Sequence, residues 1–208
     1  MCIRDRLGVD RLFIGPDAAV GKGREGTADV LTALMEERGA QVEIVPFQIL
    51  AGKKIGSARI RDCIAEGQVA SAADILGRPY TIEGRVTHGN ARGKTIGFPT
   101  ANLLPRDFQL PAPGVYVTEV VLDGEKHAAV TNVGTRPTVD GKNLLIESHL
   151  LSYTGPDFYG SRISVAFCSR IRPEKKLSGI EELKAQIQHD VKHAHSYFAS
   201  RYQNHGHE

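Results

Sequence analysis

The chain has 208 residues, 41% hydrophobic and 24% charged; that is the composition of an ordinary globular protein, long enough for one large domain or two small ones without staples. Lys and Arg number 26 against 24 Asp and Glu, and the formal net charge of +2 excludes a general electrostatic case for nucleic acid or an acidic membrane surface, so any basic site is local. Cys2, Cys63 and Cys168 are odd in number and lack CxxC spacing, which argues against a disulfide framework or a thiolate zinc site. No apolar run is long enough to span a bilayer and no secretion signal opens the chain. The expectation is a cytoplasmic protein with reduced thiols, acting on small molecules rather than on nucleic acid or membrane, as a monomer or weak homo-oligomer.

The opening MCIRDR (Met1 to Arg6) resembles translated sequencing-adapter sequence, so the natural protein is expected to begin further upstream. Beyond it, RLFIG reads as a buried strand. ADVLTALMEERG reads as a helix with Val30, Leu31, Leu34 and Met35 apolar and Gly39 at its C-terminal end, and QVEIVPF as a second strand closed by Pro46. Ser57 is expected to cap a helix through RIRDCIAEG, with a second short helix over Val69 to Leu76. This alternation is that of a partial α/β unit with parallel strands.

After Gly77 the apolar period falls to two. In YTIEGRVTH the residues Tyr80, Ile82, Val86 and His88 share one face; GVYVTEVVL is apolar on both faces, and Asp123-Gly124 makes a tight hairpin turn into HAAVTNVG. NLLIESHLLSY and SRISVAFCS add two more strands. Short strands joined by turns, without intervening helices, favour a closed antiparallel barrel. The chain then ends in a helix with a Ser178/Glu181 capping box and an apolar stripe of Ile180, Leu183, Ile187, Val191, Ala194 and Phe198. The domain boundary is expected at the change of period, giving 1–76 and 77–208.

The stretch HGNARGKTIGFPTANL, from His88 to Leu103, is one residue short of the P-loop spacing, and Phe98-Pro99 resists the helix that a P-loop requires next. Two readings of the loop remain open from its residues: glycine backbone amides with Arg92 and Lys94 around a phosphate, or a surface hairpin with solvated cations. Thr100 and Asn102, two residues apart, offer the hydroxyl and amide oxygens that a hard cation such as Mg²⁺ takes beside phosphates. Glu147 sits on the strand face of Leu145, His149 and Leu151; a carboxylate placed so closely among apolar groups points to an acid or base. The His189/His193 pair, with no Glu in HExxH register, reads as a solvated helix face, and Cys168 as core rather than nucleophile.

Taken together, GRPYTIEGRVTHGNARGKTIGFPTANL, TNVGTRP, IESHLL, DFYG and IRPEKKL resemble the riboflavin kinase domain of the bifunctional prokaryotic riboflavin kinase/FAD synthetase family over Gly77 to about Val191. IGPDAAVGKGREG and KIGSARIR resemble the tail of the same family's adenylyltransferase domain. The resemblance implies an α+β chain: a six-stranded antiparallel Greek-key barrel with a C-terminal helix, preceded by a partial Rossmann-like nucleotidyltransferase fragment. It implies transfer of the ATP γ-phosphate to the ribityl 5′-hydroxyl of riboflavin, with Mg²⁺ or another divalent cation.

On the family's motifs, Thr100 and Asn102 match positions that hold the metal and phosphates. His88, Gly89, Arg92, Gly93, Lys94, Gly97 and Pro99 fall with them in the nucleotide site. Glu147 matches the catalytic base, and Arg172, Asn132 and Arg136 match the flavin side. The first histidine of this chain is His88, so the family's N-terminal HxGH motif is missing, and Gly56 and Ala58 stand where the family shows Ser and Thr. FAD synthetase activity is therefore expected to be absent. A rival of another class is a non-catalytic barrel that binds flavin or nucleic acid, although aromatic residues are only 6% and tryptophan is absent.

Overall fold

The computed structural model describes residues 8–88, 97–104, 108–138, 141–175 and 177–204, with the backbone alone at 135–138, 141–144 and 202–204. The chain divides into two compact units, Met1–Ile55 and Gly56–Glu208.

In the first unit, strand β1 (Arg11–Ile14) pairs in parallel with β4 (Gln41–Ile44), and helix α1 (Ala28–Glu36) lies between them in sequence. Two small antiparallel pairs, β2 (Ala19–Val20) with β3 (Gly26–Thr27) and β5 (Ile49–Leu50) with β6 (Lys53–Lys54), complete it. A parallel pair joined through a helix is the connection that parallel strands need. Only part of the α1 stripe is covered: Met35 is buried, but Val30 and Leu34 are exposed, as are Phe13 and Ile49. Lys54 pairs with Asp17, which holds that carboxyl below its ordinary pKa, and also lies over the Phe47 ring.

The second unit opens with α2 (Ser57–Ala65) and α3 (Val69–Leu76), followed by β7 (Tyr80–Thr87), β8 (Ala101–Leu103), β9 (Gly114–Leu122), β10 (Glu125–Thr138), β11 (Gly141–Leu150), β12 (Arg162–Pro173) and α4 (Ile180–Asn204). The six strands close a barrel in the order β10-β11-β8-β7-β12-β9, every pair antiparallel. The expected six-stranded barrel with a C-terminal helix is thus present. Its β9–β10 hairpin turns on Asp123 and Gly124, with φ of 50° and 86°; two positive φ values match the right-handed twist of the flanking strands, which is why Asp-Gly suits this turn.

Alternation fills the barrel. Ile82, Val86, Leu103, Tyr116, Val120, Val133, Ile146, Val165 and Phe167 all point into one buried cluster. Across its middle, the buried hydroxyls of Thr118, Thr131 and Ser148 are linked at 2.6 and 2.8 Å, satisfying polar groups that burial would otherwise penalise. Strand β9 is apolar on both faces because its outer residues Val115 and Val117 meet Ala194, Val191 and Phe198 of α4. Helices α2 and α3 belong to this unit although they precede the change of period: Val69 joins the barrel cluster, and Arg170 donates to the Glu66 carbonyl.

Three local expectations are corrected. Gly56, in extended backbone, occupies the cap position of α2, and Ser57 is the first helical residue, its hydroxyl accepting from Arg61. At the start of α4, Ser178 bonds Glu182 rather than Glu181, through its backbone N–H at 2.8 Å and its hydroxyl at 2.6 Å; Glu181 pairs with Lys184. The helix begins at Ile180, one residue later than a Ser178 cap requires, which shifts the reciprocal carboxylate one position on. Ile180 itself is exposed, so the covered stripe starts at Leu183.

The two Ser178 hydrogen bonds, with a smaller contribution from the nearby Lys175 ammonium, lower the Glu182 pKa from its ordinary 4.5 to about 2. A carboxyl whose pKa is depressed by folding stabilises above its unfolded pKa, and the contribution is lost as pH falls through the folded value. An NMR titration should find the Glu182 carboxyl depressed in the wild type and shifted back toward its ordinary pKa in Ser178→Ala. An unchanged titration would show that the Ser178 hydroxyl does not hold it.

Candidate functional site

Strand register gathers the residues singled out in the sequence. Arg172 is opposite Val115, Val115 opposite Asn132, Asn132 opposite Glu147, Glu147 opposite Asn102, and Asn102 opposite Thr87. Cross-strand partners share a face, and neighbours of Val115, Asn132, Glu147, Asn102 and Thr87 (Tyr116, Val133, Ile146, Ala101, Leu103 and Val86) fill the barrel, so these five lie on the outer face. Arg172 follows a register shift in β12 and reaches the same side through its bonds to Asp190 of α4. Strands are about 4.8 Å apart, so Asn132 and Asn102 stand roughly 10 Å apart with Glu147 between them. At the other end of the row Gly114 comes so close to β12 that a Cβ there would sit 2.6 Å from the Arg172 carbonyl oxygen, which leaves no room for a side chain.

Asn102 is the most constrained member. It is 5% exposed, its carbonyl accepts from the Thr87 hydroxyl at 3.2 Å, and its amide nitrogen donates to the Thr100 carbonyl at 3.5 Å. That leaves Oδ1 buried without a hydrogen-bond partner among the described residues, and native structures rarely leave such an acceptor unmatched. Thr100 and Glu147 are half-buried. Thr100 and Asn102 also line a cleft whose far wall is aromatic, formed by Tyr153, Phe158 and Tyr159. Tyr153 and Phe158 meet edge to face with ring centres 5.2 Å apart, and Tyr159 stacks on exposed His88 at 3.9 Å.

Pro99 lines the cleft on the segment leading into β8, and Gly97, two residues before it, has φ 88°. Gly89, Arg92, Gly93 and Lys94 lie outside the described residues. Arg136 is opposite Asn143 in the β10–β11 ladder, four residues along β10 from Asn132; its side chain is outside the described part.

The Arg172 guanidinium is turned to α4. Its Nε donates to both carboxylate oxygens of Asp190, at 3.1 and 3.2 Å, and Nη2 donates at 2.8 Å, while Gln186 donates a further bond at 3.1 Å. Asp190, 1% exposed, is the residue that the periodicity reading missed. Its signal was available: it is the charge set within the Ile187, Val191, Ala194 stripe. Cys168, half-buried, donates to the Ala166 carbonyl, and burial pushes its thiol pKa up, the wrong direction for a nucleophile. His189 and His193 are exposed. Among the described residues no group of three or more His, Cys, Asp or Glu can hold a metal ion, so a cation at Thr100 and Asn102 would draw its remaining ligands from substrate and water. The hydroxyl and orphaned amide oxygen there fit that donor chemistry.

A family model described as riboflavin kinase matches residues 76–198. The bifunctional riboflavin kinase/FMN adenylyltransferase of Haemophilus influenzae is 40% identical over 197 residues, covering 94% of this chain and 64% of that protein. The protein of the same description from Escherichia coli K12 is 40% identical over 193 residues, covering 92% and 61%. The chain thus spans about six-tenths of the length of the curated relatives it matches. A solved structure described as a macrolide-efflux protein from Streptococcus pneumoniae is similar with a TM-score of 0.76 and 36% identity, covering 86% of this chain and 59% of that one. Among the described residues here, no helix is long and apolar enough to cross a membrane.

Removing one partner of a buried ion pair strands the other charge. Asp190→Ala should therefore lower stability in urea unfolding by about 2–4 kcal/mol, toward the low end of what such pairs show because Arg172 keeps 21% of its side chain exposed. A double variant, Arg172→Met with Asp190→Leu, should recover most of that loss. Unchanged stability in Asp190→Ala would show the pair to be energetically idle.

Proposed function

This chain belongs to the riboflavin kinase family, and we propose that its barrel transfers the γ-phosphate of ATP to the ribityl 5′-hydroxyl of riboflavin, giving FMN and ADP. The observation that carries the reading is the outer-face row in which Glu147 stands between Asn132 and Asn102, with the buried Oδ1 of Asn102 lacking a partner among the described residues. Phosphoryl transfer asks mainly for positioning and for neutralisation of charge on the phosphate oxygens. The row sets a carboxylate beside an oxygen pair at fixed strand spacing.

In this reading Thr100 and Asn102 hold the nucleotide phosphates and a divalent cation, whose charge offsets that of the phosphates when it is bound. Gly89, Arg92, Gly93, Lys94 and Gly97, with His88 and Pro99, belong to the nucleotide side in this reading. Glu147 orients the ribityl hydroxyl and takes its proton as the oxygen bonds to the γ-phosphorus and the bond to the bridging oxygen of ADP breaks. Asn132 and Arg136 lie on the flavin side. Arg172 belongs there by its strand position, and its bonds to Asp190 hold β12 against α4 beneath that side.

The match beginning at residue 76 supports a kinase domain over 77–208, and we assign 1–76 to the tail of an adenylyltransferase domain. Gly56 and Ala58 stand where the resembling motif carries two hydroxyls that would bond phosphates, and we propose that this stretch does not support FAD synthesis. Free thiols at Cys63 and Cys168 agree with action in the cytoplasm.

Incubation with riboflavin, ATP and Mg²⁺, with the flavins separated by chromatography, should yield FMN and no FAD. Riboflavin left unphosphorylated would favour a barrel that only binds. Glu147→Gln should bind both substrates near normally while losing about 10²- to 10⁴-fold in kcat, the usual contribution of a general base. Turnover near that of the wild type would remove Glu147 from this role.

A further inference from the structure

We infer that His149 is a positioning residue that fixes the nucleotide-side oxygens at their distance from Glu147. Glu147 and His149 are two residues apart on β11 and share its outer face. The β11–β8 ladder pairs Ile146 with Leu103, Glu147 with Asn102 and Ser148 with Ala101, and it ends there. Continued by one residue, it would set His149 opposite Thr100, but β8 has already stopped at Ala101. At this point a side-chain bond takes over from the ladder: the ring of half-buried His149 reaches the Pro99 carbonyl through Nδ1 at 2.8 Å. A carbonyl oxygen only accepts, so Nδ1 carries the proton and donates. The Phe98 ring meets the same imidazole edge to face, with centroids 5.4 Å apart.

The bond falls on the residue directly before Thr100. Thr100 in turn accepts the Asn102 amide at 3.5 Å, which turns Oδ1 of Asn102 into its buried position. One strand therefore carries both halves of the site: Glu147 directly, and the Thr100/Asn102 oxygens through the clamp of His149 on Pro99. The proline contributes a fixed φ and no N–H of its own, so this segment can be held to β11 through its carbonyl.

This inference rests on the kinase reading only for its consequence in catalysis; the clamp itself is read by nucleotide binding. The experiment uses the full chain as His149→Ala and as His149→Asn, whose amide nitrogen keeps a donor close to the Nδ1 position. Titration calorimetry with ADP and Mg²⁺ is combined with steady-state kinetics in both substrates. His149→Ala should weaken Mg²⁺·ADP binding about three- to tenfold, the worth of one neutral hydrogen bond, and raise the KM for ATP similarly, leaving the KM for riboflavin within about twofold. His149→Asn should recover most of the loss. Equal weakening toward both substrates, or no rescue by Asn, would reduce His149 to a structural residue and overturn the inference, as would unchanged ADP binding in His149→Ala. A wild type that binds Mg²⁺·ADP but makes no FMN would sink the kinase reading, and the same calorimetry would still decide the clamp.

Discussion

The barrel depends on three residues. Strand β8, Ala101 to Leu103, is all that joins β7 to β11, and each of its residues is buried. Without that double pairing the sheet would have two free edges, with the unpaired backbone groups that closed barrels avoid. Two of the three residues, Ala101 and Leu103, fill the interior, and the third, Asn102, is left facing outward. The seam that closes the barrel is therefore also the place where a buried amide oxygen is held without a hydrogen-bond partner among the described residues. Closure and candidate site are one constraint.

Rigidity spreads from that seam along the row. Glu147 is fixed by pairing on both sides, with Asn132 and with Asn102, and just inside it Ser148 is tied to Thr131 and Thr118. Toward β12, the Arg172–Asp190 pair joins the row to α4, whose apolar stripe covers the outer face of β9. A site for phosphoryl transfer gains most from groups whose positions are set before substrate arrives. Here they stand on ladders anchored on two sides.

Much of this was legible in the sequence because its signals are local. The fall of period at Gly77 marked the barrel, Asp123-Gly124 marked its hairpin, and the apolar stripe of the last helix marked the face that packs. What stayed hidden is what depends on partners distant in sequence. Periodicity says that α4 has a buried face but not that Asp190 within it meets Arg172, and it places a break at Gly77 although α2 and α3 pack with the barrel. Cap chemistry at Gly56 and Ser178 turned on a one-residue shift in where a helix starts, which a Ser with a nearby Glu does not determine. For the site, residue types pointed to Thr100, Asn102 and Glu147, but strand register alone shows Glu147 flanked by Asn132 and Asn102. The role of His149 required the observation that β8 stops one residue short.

The central claim is that this row is where phosphate meets flavin, and a crystal structure of the chain with ADP, Mg²⁺ and FMN tests it most directly. The account predicts that Oδ1 of Asn102 gains a partner from the cation or a phosphate, with the FMN phosphate-bearing end of the ribityl chain against the Glu147 carboxylate. Nucleotide bound on another face of the barrel, with Asn102 Oδ1 still unmatched and Glu147 distant from the flavin phosphate, would contradict it.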